Sequence, residues 1–312
     1  MNIGELVSMQ SLLERLPKVV GKYRECADLS KSCWFGVGGF AEVLFRPKDI
    51  DDLRFFLQHK PSDVPVTILG AGSNILVRDG GIKGVVIRLG GGFSTIDVKD
   101  NKVLVTCGIL NANLTSFCIE NAIGGLEFLS GIPGSVGGAL AMNAGAYGTE
   151  VKDVLISCDA VDDRGELHHI PCSDMGFSYR HANIPKNWIC ISAIFQGKKS
   201  STKSVREAVA TIHQKREQSQ PIRMRTGGST FANPYLEESG GKKAWQLIDE
   251  VGGRGLQVGG AKVSEKHCNF LINTGTATAE DIEMLGEELR RRVYEAFGVT
   301  LHWEIRIIGE SI

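Results

Sequence analysis

Residues 124–148 read GGLEFLSGIPGSVGGALAMNAGAYG, which is eight glycines and one proline in twenty-five positions, with small side chains at most of the others. Glycine loses more conformational entropy on folding than any other residue, so this composition is costly if it only fills a core. It favours a close-fitting wall against a flat or extended ligand, with structural packing as the alternative. The segment therefore predicts a binding surface in the middle of the chain.

Further glycine clusters divide the rest of the chain into short elements. They lie at 36–39, 70–72, 80–92, 227–228 and 252–260. Between them the hydrophobic patterns indicate both kinds of regular structure. Strands are predicted at 66–69, 84–89, 102–107, 154–161 and 188–195, and helices at 50–59 and 111–121. This mixture predicts an α+β fold.

The order of these elements predicts three regions. Residues 1–88 form a small α/β unit, and residues 89–202 form a strand-rich unit that contains the glycine-rich segment. The polar run GKKSSTKS at 197–204 predicts a linker. Residues 203–312 then form a separate C-terminal α/β domain.

This C-terminal domain has a clear element pattern of its own. Its last helix is predicted to begin after the capping residue Thr278 and to stop at Gly298. The domain is predicted to contain helices at 205–218, 243–251 and 279–297 and strands at 269–273 and 301–308.

Composition excludes several classes of function. The 35 basic and 36 acidic residues leave a net charge of −1, so no overall field favours nucleic acid or a membrane surface. The eight cysteines include no C-x-x-C pair, which favours reduced core thiols in a cytosolic protein. The first sixteen residues predict an amphipathic helix and not a signal peptide, and no apolar run approaches the roughly 20 residues that span a bilayer. We therefore expect a cytoplasmic protein.

Metal chemistry has one weak candidate, the pair His168-His169. A solvated strand end explains this pair better than a metal site does, because no further ligand pattern accompanies it. No metal site is predicted.

A second glycine-rich turn directly follows a predicted buried strand, in the sequence TILGAGSNILV at 67–77. Residues with little side chain expose backbone N–H groups there, and Ser73 and Asn74 add donors, as a nucleotide pyrophosphate requires. Ile75 breaks the usual dinucleotide pattern and the P-loop lysine is missing. A plain structural turn is the alternative. The looser dinucleotide match at 36–41 is discounted, because a strand-like run follows it.

Several motifs follow one another in a single order over about residues 30–310. They are GAGSN at 70–74, GIPGSVGG at 131–138 leading to NAGAY at 143–147, Tyr179-Arg180, Gly228-Ser229 with Asn233-Pro234, and Glu304-Ile-Arg306. Together they resemble the UDP-N-acetylenolpyruvoylglucosamine reductases over nearly the whole chain. The run SEKHCNF at 264–270 and the compact segment before Ser229 resemble the subclass without an extra substrate-covering tyrosine loop.

This resemblance implies the FAD-binding fold shared with vanillyl-alcohol oxidases, built from two α/β subdomains and followed by a substrate-binding domain. It implies FAD and NADPH as cofactors and UDP-N-acetylglucosamine enolpyruvate as substrate. NADPH and the sugar nucleotide would occupy the same flavin face in turn, and the product, UDP-N-acetylmuramate, would enter peptidoglycan precursor synthesis. A monomer is expected.

The resemblance also implies ligand contacts. The FAD pyrophosphate would be held by Gly70, Ala71, Gly72, Ser73 and Asn74, and the cofactor would be lined by Pro133, Gly134, Ser135, Gly138, Ala141 and Gly145. Arg216 and Arg306 match arginines near the flavin and the substrate. Tyr147 would face the substrate phosphates, and Asn233 would contact the substrate.

Three positions depart from the family pattern. Cys33 stands where a threonine is common, Gly36 stands where an arginine is frequent, and Ala232 replaces a lysine or arginine before the Asn-Pro pair. These departures bear on individual ligand contacts and leave the reaction unchanged.

Three residues are predicted to carry the chemistry. Reducing an enol ether conjugated to a carboxylate requires hydride at the terminal carbon and a proton at the adjacent one, through an enolate-like anion. Arg180 is always protonated and can bind a carboxylate bidentately, which suits this charge. The resemblance makes Ser229 the proton donor and Glu304 the group that stabilises the enol or positions the proton. Without the family resemblance, the sequence would indicate only a turn residue at Ser229 and a solvated carboxylate at Glu304.

Two other functions remain open from the sequence. An oxidase of alcohols or lactones could share the flavin fold, but it would not require Arg180, Ser229 and Glu304 in a dedicated C-terminal domain. A flavin-binding or nucleotide-sugar-binding module without turnover would be yellow and would not consume NADPH when given the substrate.

Overall fold

The computed structural model describes residues 11–312. Most of the amphipathic helix predicted at the N-terminus lies outside the described residues, and its last part forms the single turn α1. The helices are α1 Leu12–Arg15, α2 Ile50–His59, α3 Asn111–Glu120, α4 Val136–Ala141, α5 Thr202–Ser219, α6 Ala244–Glu250 and α7 Ala279–Phe297. None of the helices in this range is both long and apolar enough to cross a membrane.

The strands are mostly short. They are β1 Lys22–Asp28, β2 Phe40–Arg46, β3 Val66–Ile68, β4 Ile75–Val77, β5 Ile82–Ile87, β6 Ile96–Lys99, β7 Lys102–Thr106, β8 Ile123–Gly124, β9 Gly145–Ala146, β10 Thr149–Glu150, β11 Leu155–Val161, β12 Leu167–Pro171, β13 Ile189–Gln196, β14 Lys198–Lys199, β15 Gln257–Val258, β16 Ala261–Val263, β17 Leu271–Asn273 and β18 Arg306–Ile308.

The predicted helices at 50–59 and 279–297 are confirmed, because α2 and α7 have these bounds. Capping accounts for this agreement. The Asp49 carboxylate accepts from the N–H of Asp52 at the start of α2. Thr278 and Asp281 bond reciprocally at the start of α7, which ends at Gly298 with a φ of 69°.

The first sheet spans residues 22–87 and has the strand order β1-β2-β5-β3. The strands β2, β5 and β3 run parallel, and β1 is antiparallel to β2. Phe45 and Phe56 pack α2 against one face, with ring centroids 4.7 Å apart. Leu44 and Val86 belong to the core on the other face. Since the parallel strands end at one edge, the loop at 70–74 leaves β3 from the edge where open α/β sheets bind ligands.

The second sheet spans residues 96–196, is antiparallel throughout, and has the order β12-β11-β13-β7-β6. Its core with α3 and α4 contains Leu114, Leu140 and Phe195, all fully buried. Because α4 lies inside the glycine-rich segment, this core fixes one side of that segment and leaves the other side for a ligand.

The predicted linker at 197–204 is wrong. Lys198 and Lys199 form β14, which pairs with β8, and Ser201 caps α5 by accepting from the N–H of Ser204 at 3.1 Å. The helix α5 then packs against α3 and the turn at 127–131. Exposed lysine and serine side chains suit a short solvent-facing strand as well as a linker, so composition could not distinguish the two.

The third sheet, β15-β16-β17, packs with α6 and α7 around a core that includes Leu247, Leu271 and Leu285. The chain then returns to the first region, where β18 pairs in parallel with β4 and Arg306 lies opposite Ile75. The predicted strand at 301–308 is therefore too long. Its first half instead contacts residues 230–232, through the bridge between Phe231 and Trp303. The domain boundaries at 88 and 202 stay predictions.

The helix α7 meets Trp303 at Gly286, where a Cβ atom would overlap the indole ring. Trp303 cannot move freely, because it packs on Phe231 and its Nε1 donates to Glu287 at 2.8 Å. We expect Gly286→Ala to lower the free energy of unfolding by about 1–2 kcal/mol net, because the overlap costs about 2–3 kcal/mol and helix propensity returns only ~1 kcal/mol. Urea unfolding measures this, with Met284→Ala on the exposed face of α7 as the control. Equal stability of wild type and Gly286→Ala would contradict the packing.

Candidate active site

Two glycine-rich loops from different regions touch at the edge of the first sheet. The Ser73 hydroxyl donates to the carbonyl of Pro133 at 2.9 Å. A Cβ atom on Gly134 would lie 2.9 Å from Ser73 Oγ, and one on Gly70 would lie 3.0 Å from Ser135 Oγ. Side chains at either glycine would push the loops apart. We call residues 70–74 and 133–135 together the cradle.

The cradle offers a row of free backbone donors. Within residues 11–312, no protein acceptor is bonded to the backbone N–H groups of residues 70–74, Gly134 or Ser135. Gly72 and Gly134 reach this arrangement with φ of 70° and 135°, which suit glycine. Consecutive free N–H groups in a turn and ahead of a helix bind anions. The cradle therefore fits a diphosphate.

The side chains of the cradle are less available than the sequence suggested. Ser73 donates to Pro133, as above, and the Asn74 amide donates to the carbonyl of Glu304 at 3.0 Å. The Asn74 carbonyl also accepts from the N–H of Arg306 at 3.0 Å. Asn74 thus fixes the C-terminal segment beside the cradle, and backbone donors remain for a ligand.

A strip of small residues leads away from the cradle along α4. Gly134, Gly138 and Ala141 are all partly or fully exposed, whereas Val136 and Leu140 on the opposite side are buried. The spacing places the exposed positions on one helix face. Gly145 continues the strip, although its missing side chain makes room for Glu150, since a Cβ there would lie 2.7 Å from Glu150 Cγ. A flat ring system fits such a strip.

The strip leads to a cavity of about 280 Å³. It is lined by Met142, Tyr179, Arg180, Ala232, Trp303, Glu304, Ile305 and Arg306. Of the residues predicted from the sequence, the structure brings Arg180, Glu304 and Arg306 together here. The lining residues come from the second and third regions of the chain.

Arg180 and Glu304 form an ion pair in this cavity, although 124 residues separate them. Arg180 Nε donates to Glu304 Oε1 at 2.9 Å, and the two side chains are 27% and 15% exposed. Burial raises the pKa of Glu304 above its ordinary value, while the Arg180 guanidinium opposes this rise. In the described structure the terminal nitrogens of Arg180 donate to no protein acceptor. They are free to bind an anion in the cavity.

Ser229 is not among the residues that line the cavity, but its loop is hydrogen-bonded to the backbone of Glu304. It directly precedes Thr230, whose carbonyl accepts from the N–H of Glu304 at 2.9 Å. The preceding Gly228 has a φ of 86° and open space around it. Ser229 is half-buried, and its hydroxyl has no hydrogen-bond partner among the described residues. Its hydroxyl is thus available to a ligand.

Asn143 holds the turn that carries Arg180. It is fully buried, with a φ of 39°, and its Nδ2 donates to Glu150 Oε2 at 3.0 Å and to the carbonyl of Ser178 at 3.1 Å. Its Oδ1 accepts from the N–H of Lys152 at 3.0 Å. Arg180 itself has a φ of 55°, a conformation that costs a non-glycine residue about 1–2 kcal/mol. The surrounding bonds keep it there.

A second basic patch is formed by Tyr147 and by Lys215 and Arg216 of α5, and we call it the α5 patch. The Tyr147 hydroxyl donates to the carbonyl of Ile212 at 3.3 Å, and Lys215 Nζ lies 5.9 Å from the ring centroid of Tyr147. Burial lowers the pKa of the half-buried Arg216, which has no carboxylate partner in the described part of the chain. These residues offer positive charge and a phenol to an anionic ligand.

Asn233 is exposed, and its Oδ1 accepts from the N–H of Ala244 at 3.2 Å, at the start of α6. A substrate contact at Asn233 stays a prediction and would have to use its Nδ2. Ala232 lines the cavity. At Gly36 the side chain of Arg225 fills the space, since a Cβ on Gly36 would lie 3.1 Å from Arg225 Cδ. The side chain of Arg225 thus lies beside Gly36, the position at which an arginine is frequent in the family pattern.

The two adjacent histidines point to different partners. His169 Nδ1 lies 2.7 Å from Asp159 Oδ1, and His168 Nε2 lies 3.1 Å from Asp162 Oδ2. Asp162 and Glu166 bring potential ligand atoms within 4.8 Å of that of His168. However, Asp162 Oδ1 already accepts two backbone N–H groups of its own turn. The turn between β11 and β12 therefore explains why these side chains lie close together.

Sequence reasoning did not identify Asn143, Lys215 and Met142 as parts of the site. Asn143 begins the NAGAY motif at 143–147, but the motif alone gives this residue no role. A polar residue amid small apolar residues was the available signal. Nothing in the local sequence indicates that Lys215 contacts Tyr147 or that Met142 faces the cavity.

We expect Asn143→Ala to lower the catalytic rate with substrate by about tenfold to a hundredfold, because small displacements of a reacting group are costly. NADPH should still reduce the bound flavin at the wild-type rate, since the Asn143 side chain makes no hydrogen bond to the cradle. Rapid-mixing measurements of the two half-reactions test this, with Asn121→Ala as an exposed control. Equal slowing of both half-reactions would indicate a general structural defect instead.

Comparisons with known proteins agree with this geometry. A family model described as FAD binding domain matches residues 41–171, and one described as the C-terminal domain of UDP-N-acetylenolpyruvoylglucosamine reductase matches residues 220–308. The UDP-N-acetylenolpyruvoylglucosamine reductase of Parvibaculum lavamentivorans is 54% identical over 299 residues, 96% of this chain and 95% of that protein. The enzyme of that name from Paramagnetospirillum magneticum is 52% identical over 296 residues, 95% of each chain.

A solved structure agrees as well. The crystal structure of the UDP-N-acetylenolpyruvylglucosamine reductase from Thermus caldophilus superimposes with a TM-score of 0.78 at 33% identity, covering 93% of this chain and 99% of that one. The cradle, the small-residue strip and the matched FAD-binding domain define an FAD-dependent oxidoreductase. The chain belongs to the UDP-N-acetylenolpyruvoylglucosamine reductase family. The predicted α+β fold, an FAD-binding region followed by a C-terminal domain, is confirmed.

Proposed function

We propose that this chain reduces UDP-N-acetylglucosamine enolpyruvate to UDP-N-acetylmuramate with NADPH, through bound FAD, and so supplies peptidoglycan precursor synthesis. The observation that carries the proposal is the cavity in which Arg180, Glu304 and Arg306 meet at the end of the small-residue strip. The family membership and the FAD-binding match support it.

The cofactor has a place that fits it. The diphosphate would lie on the backbone N–H groups of the cradle, and Gly138 and Ala141 would lie against the ring system. When bound, FAD accepts hydride from NADPH and delivers it to the terminal carbon of the enolpyruvyl group. Since the strip ends at the cavity, a substrate in the cavity would lie against the same ring.

Arg180 binds and orients the reacting group in this proposal. Its free terminal nitrogens would hold the substrate carboxylate, which becomes more negative as the enolate develops. A guanidinium fixed by Glu304 needs no reorganisation as that charge appears, so it stabilises the transition state more than the ground state. Arg306, at the same cavity, adds positive charge.

Ser229 supplies the proton. As hydride reaches the terminal carbon, the adjacent carbon gains an electron pair, and the Ser229 hydroxyl would give it a proton to form the new C–H bond. A carbanionic centre is far more basic than an alkoxide, so the transfer is feasible. The backbone N–H of Glu304 bonds to the carbonyl of Thr230, the residue that follows Ser229. Glu304 would position this proton or stabilise the enol.

The sugar nucleotide's own phosphates would lie at the α5 patch. Tyr147 would face them, with Arg216 as the nearby cation, and Asn233 would contact the substrate from the other side. Half-burial without a carboxylate partner is what an anion-binding arginine requires.

We further propose that the protein is a cytoplasmic monomer without nucleic-acid or membrane partners. We also propose that its domain boundaries lie at about residues 88 and 202. The small net charge supports the lack of such partners. Three separate sheets, at 22–87, 96–196 and 257–273, support the division.

The proposal is tested by NADPH consumption coupled to product identification. The purified, FAD-loaded protein should oxidise NADPH only when UDP-N-acetylglucosamine enolpyruvate is added, and mass spectrometry should find a product two hydrogens heavier. In deuterated water the product should carry a solvent deuterium at the carbon adjacent to the terminal one, because the Ser229 hydroxyl exchanges with water. NADPH oxidation that depends on oxygen and not on the sugar nucleotide would overturn the proposal.

A further inference from the structure

Two arginines lie side by side at the ligand-binding edge of the first sheet. Arg46 ends β2, and Arg88 directly follows β5, with its N–H bonded to the carbonyl of Phe45 at 3.0 Å. Phe45 and Ile87, in register on these strands, face the α2 core. Because side chains alternate along a strand, Arg46 and Arg88 both point to the opposite face. That face also holds Cys33.

Neither arginine has a carboxylate partner. Among residues 11–312, Arg46 and Arg88 take part in no ion pair. Arg88 is half-buried, and burial and then the charge of Arg46 lower its pKa. Two adjacent like charges, one of them partly desolvated, destabilise each other unless an anion compensates them. The protein itself supplies none at this place.

The arginine pair adjoins the cradle. Ile68 of β3 lies opposite Ile87, so the next residues, Leu69 and Arg88, are neighbours, and Gly70 begins the cradle immediately afterwards. The Arg88 Nη1 donates to Ser32 Oγ at 3.0 Å. A Cβ on Gly72 would overlap the carbonyl of Ser32. Ser32 therefore contacts both Arg88 and the cradle.

We infer that Arg88, held by Ser32 and adjacent to Arg46, is the counter-ion for the diphosphate of the flavin dinucleotide. The backbone N–H groups of the cradle orient the diphosphate but carry no full charge, whereas the diphosphate carries two negative charges. Arg88 would neutralise part of this charge through a charge-assisted hydrogen bond. The inference rests on the proposed function, since it assumes FAD as the occupant of the cradle.

Flavin titration of the apoprotein tests this without any turnover. FAD and riboflavin are compared by fluorescence, because riboflavin shares the ring system but has no phosphate. Arg88→Gln should weaken FAD binding by about tenfold to a hundredfold and flatten its salt dependence, while riboflavin binding stays unchanged. Arg88→Lys, which keeps the charge, should bind FAD with an intermediate affinity.

The control is Arg24→Gln. Arg24 lies opposite Leu44 on the same face of the sheet, one pair further from the edge, and should leave both affinities unchanged. Equal weakening of FAD and riboflavin in Arg88→Gln, or wild-type affinity for both, would overturn the inference while leaving the reductase assignment intact. A wild-type apoprotein that binds no FAD would overturn the proposed function itself.

Discussion

The Ser229→Ala variant is expected to reduce its substrate about 10² times more slowly than wild type, or slower still, while its flavin is reduced by NADPH at the wild-type rate. The reason is that reduction of the flavin by NADPH needs no proton from Ser229, and reduction of the substrate by the flavin requires protonation of the carbon adjacent to the terminal one. Only the second uses the Ser229 hydroxyl. FAD binding should also be unchanged, because Ser229 lies in the loop at 226–231 and not in the cradle.

Ser229→Cys provides the matched comparison. A thiol is a better acid than a hydroxyl and has similar size, so this variant should retain much more substrate reduction than Ser229→Ala. Stopped-flow absorbance at the flavin band separates the two half-reactions. If both half-reactions slow equally in Ser229→Ala, or if neither does, Ser229 is not the proton donor.

The Arg180→Gln variant is expected to lose about 10² to 10³ in the rate of substrate reduction, the range for removing a donor aimed at a developing oxyanion. Glutamine keeps a hydrogen-bond donor for Glu304 but has neither the charge nor the bidentate fork. Single-turnover reoxidation of the reduced flavin by substrate measures the loss. The exposed Arg206→Gln on α5 serves as the control, since Arg206 lies outside the cavity. A loss below threefold would contradict the role of Arg180.

The same variant should change the pH dependence of substrate reduction. In the wild type, burial raises the pKa of Glu304 and Arg180 lowers it. Removing the Arg180 charge leaves the effect of burial unopposed, so the pKa of Glu304 rises further. The limb of the pH-rate profile that reports Glu304 should therefore move to higher pH in Arg180→Gln and disappear in Glu304→Gln. A limb that stays in place in both variants belongs to another group.

Local signals in the sequence were sufficient for the helices with strong caps. Thr278 and Gly298 mark ends that the structure reproduces, because capping is a short-range interaction. The segment at 301–308 shows what local signals miss. Its alternation indicates a strand, but only a distant partner decides the pairing, and just Arg306–Ile308 finds one in β4.

The candidate site was predictable residue by residue only through the family resemblance. Arg180 and Glu304 lie 124 positions apart, and no spacing rule indicates that they meet. Asn143 and Asn74 hold the site together through side-chain hydrogen bonds to residues up to 230 positions away. The glycine-rich segment, by contrast, predicts a ligand surface from composition alone, because so many glycines are costly in a plain core.

The most direct test of the reductase assignment is anaerobic stopped-flow absorbance of the FAD-loaded protein. NADPH should bleach the flavin band, and the band should recover only when UDP-N-acetylglucosamine enolpyruvate is added. Recovery only on admission of oxygen, with no response to the sugar nucleotide, would contradict the assignment and indicate an oxidase on the same fold.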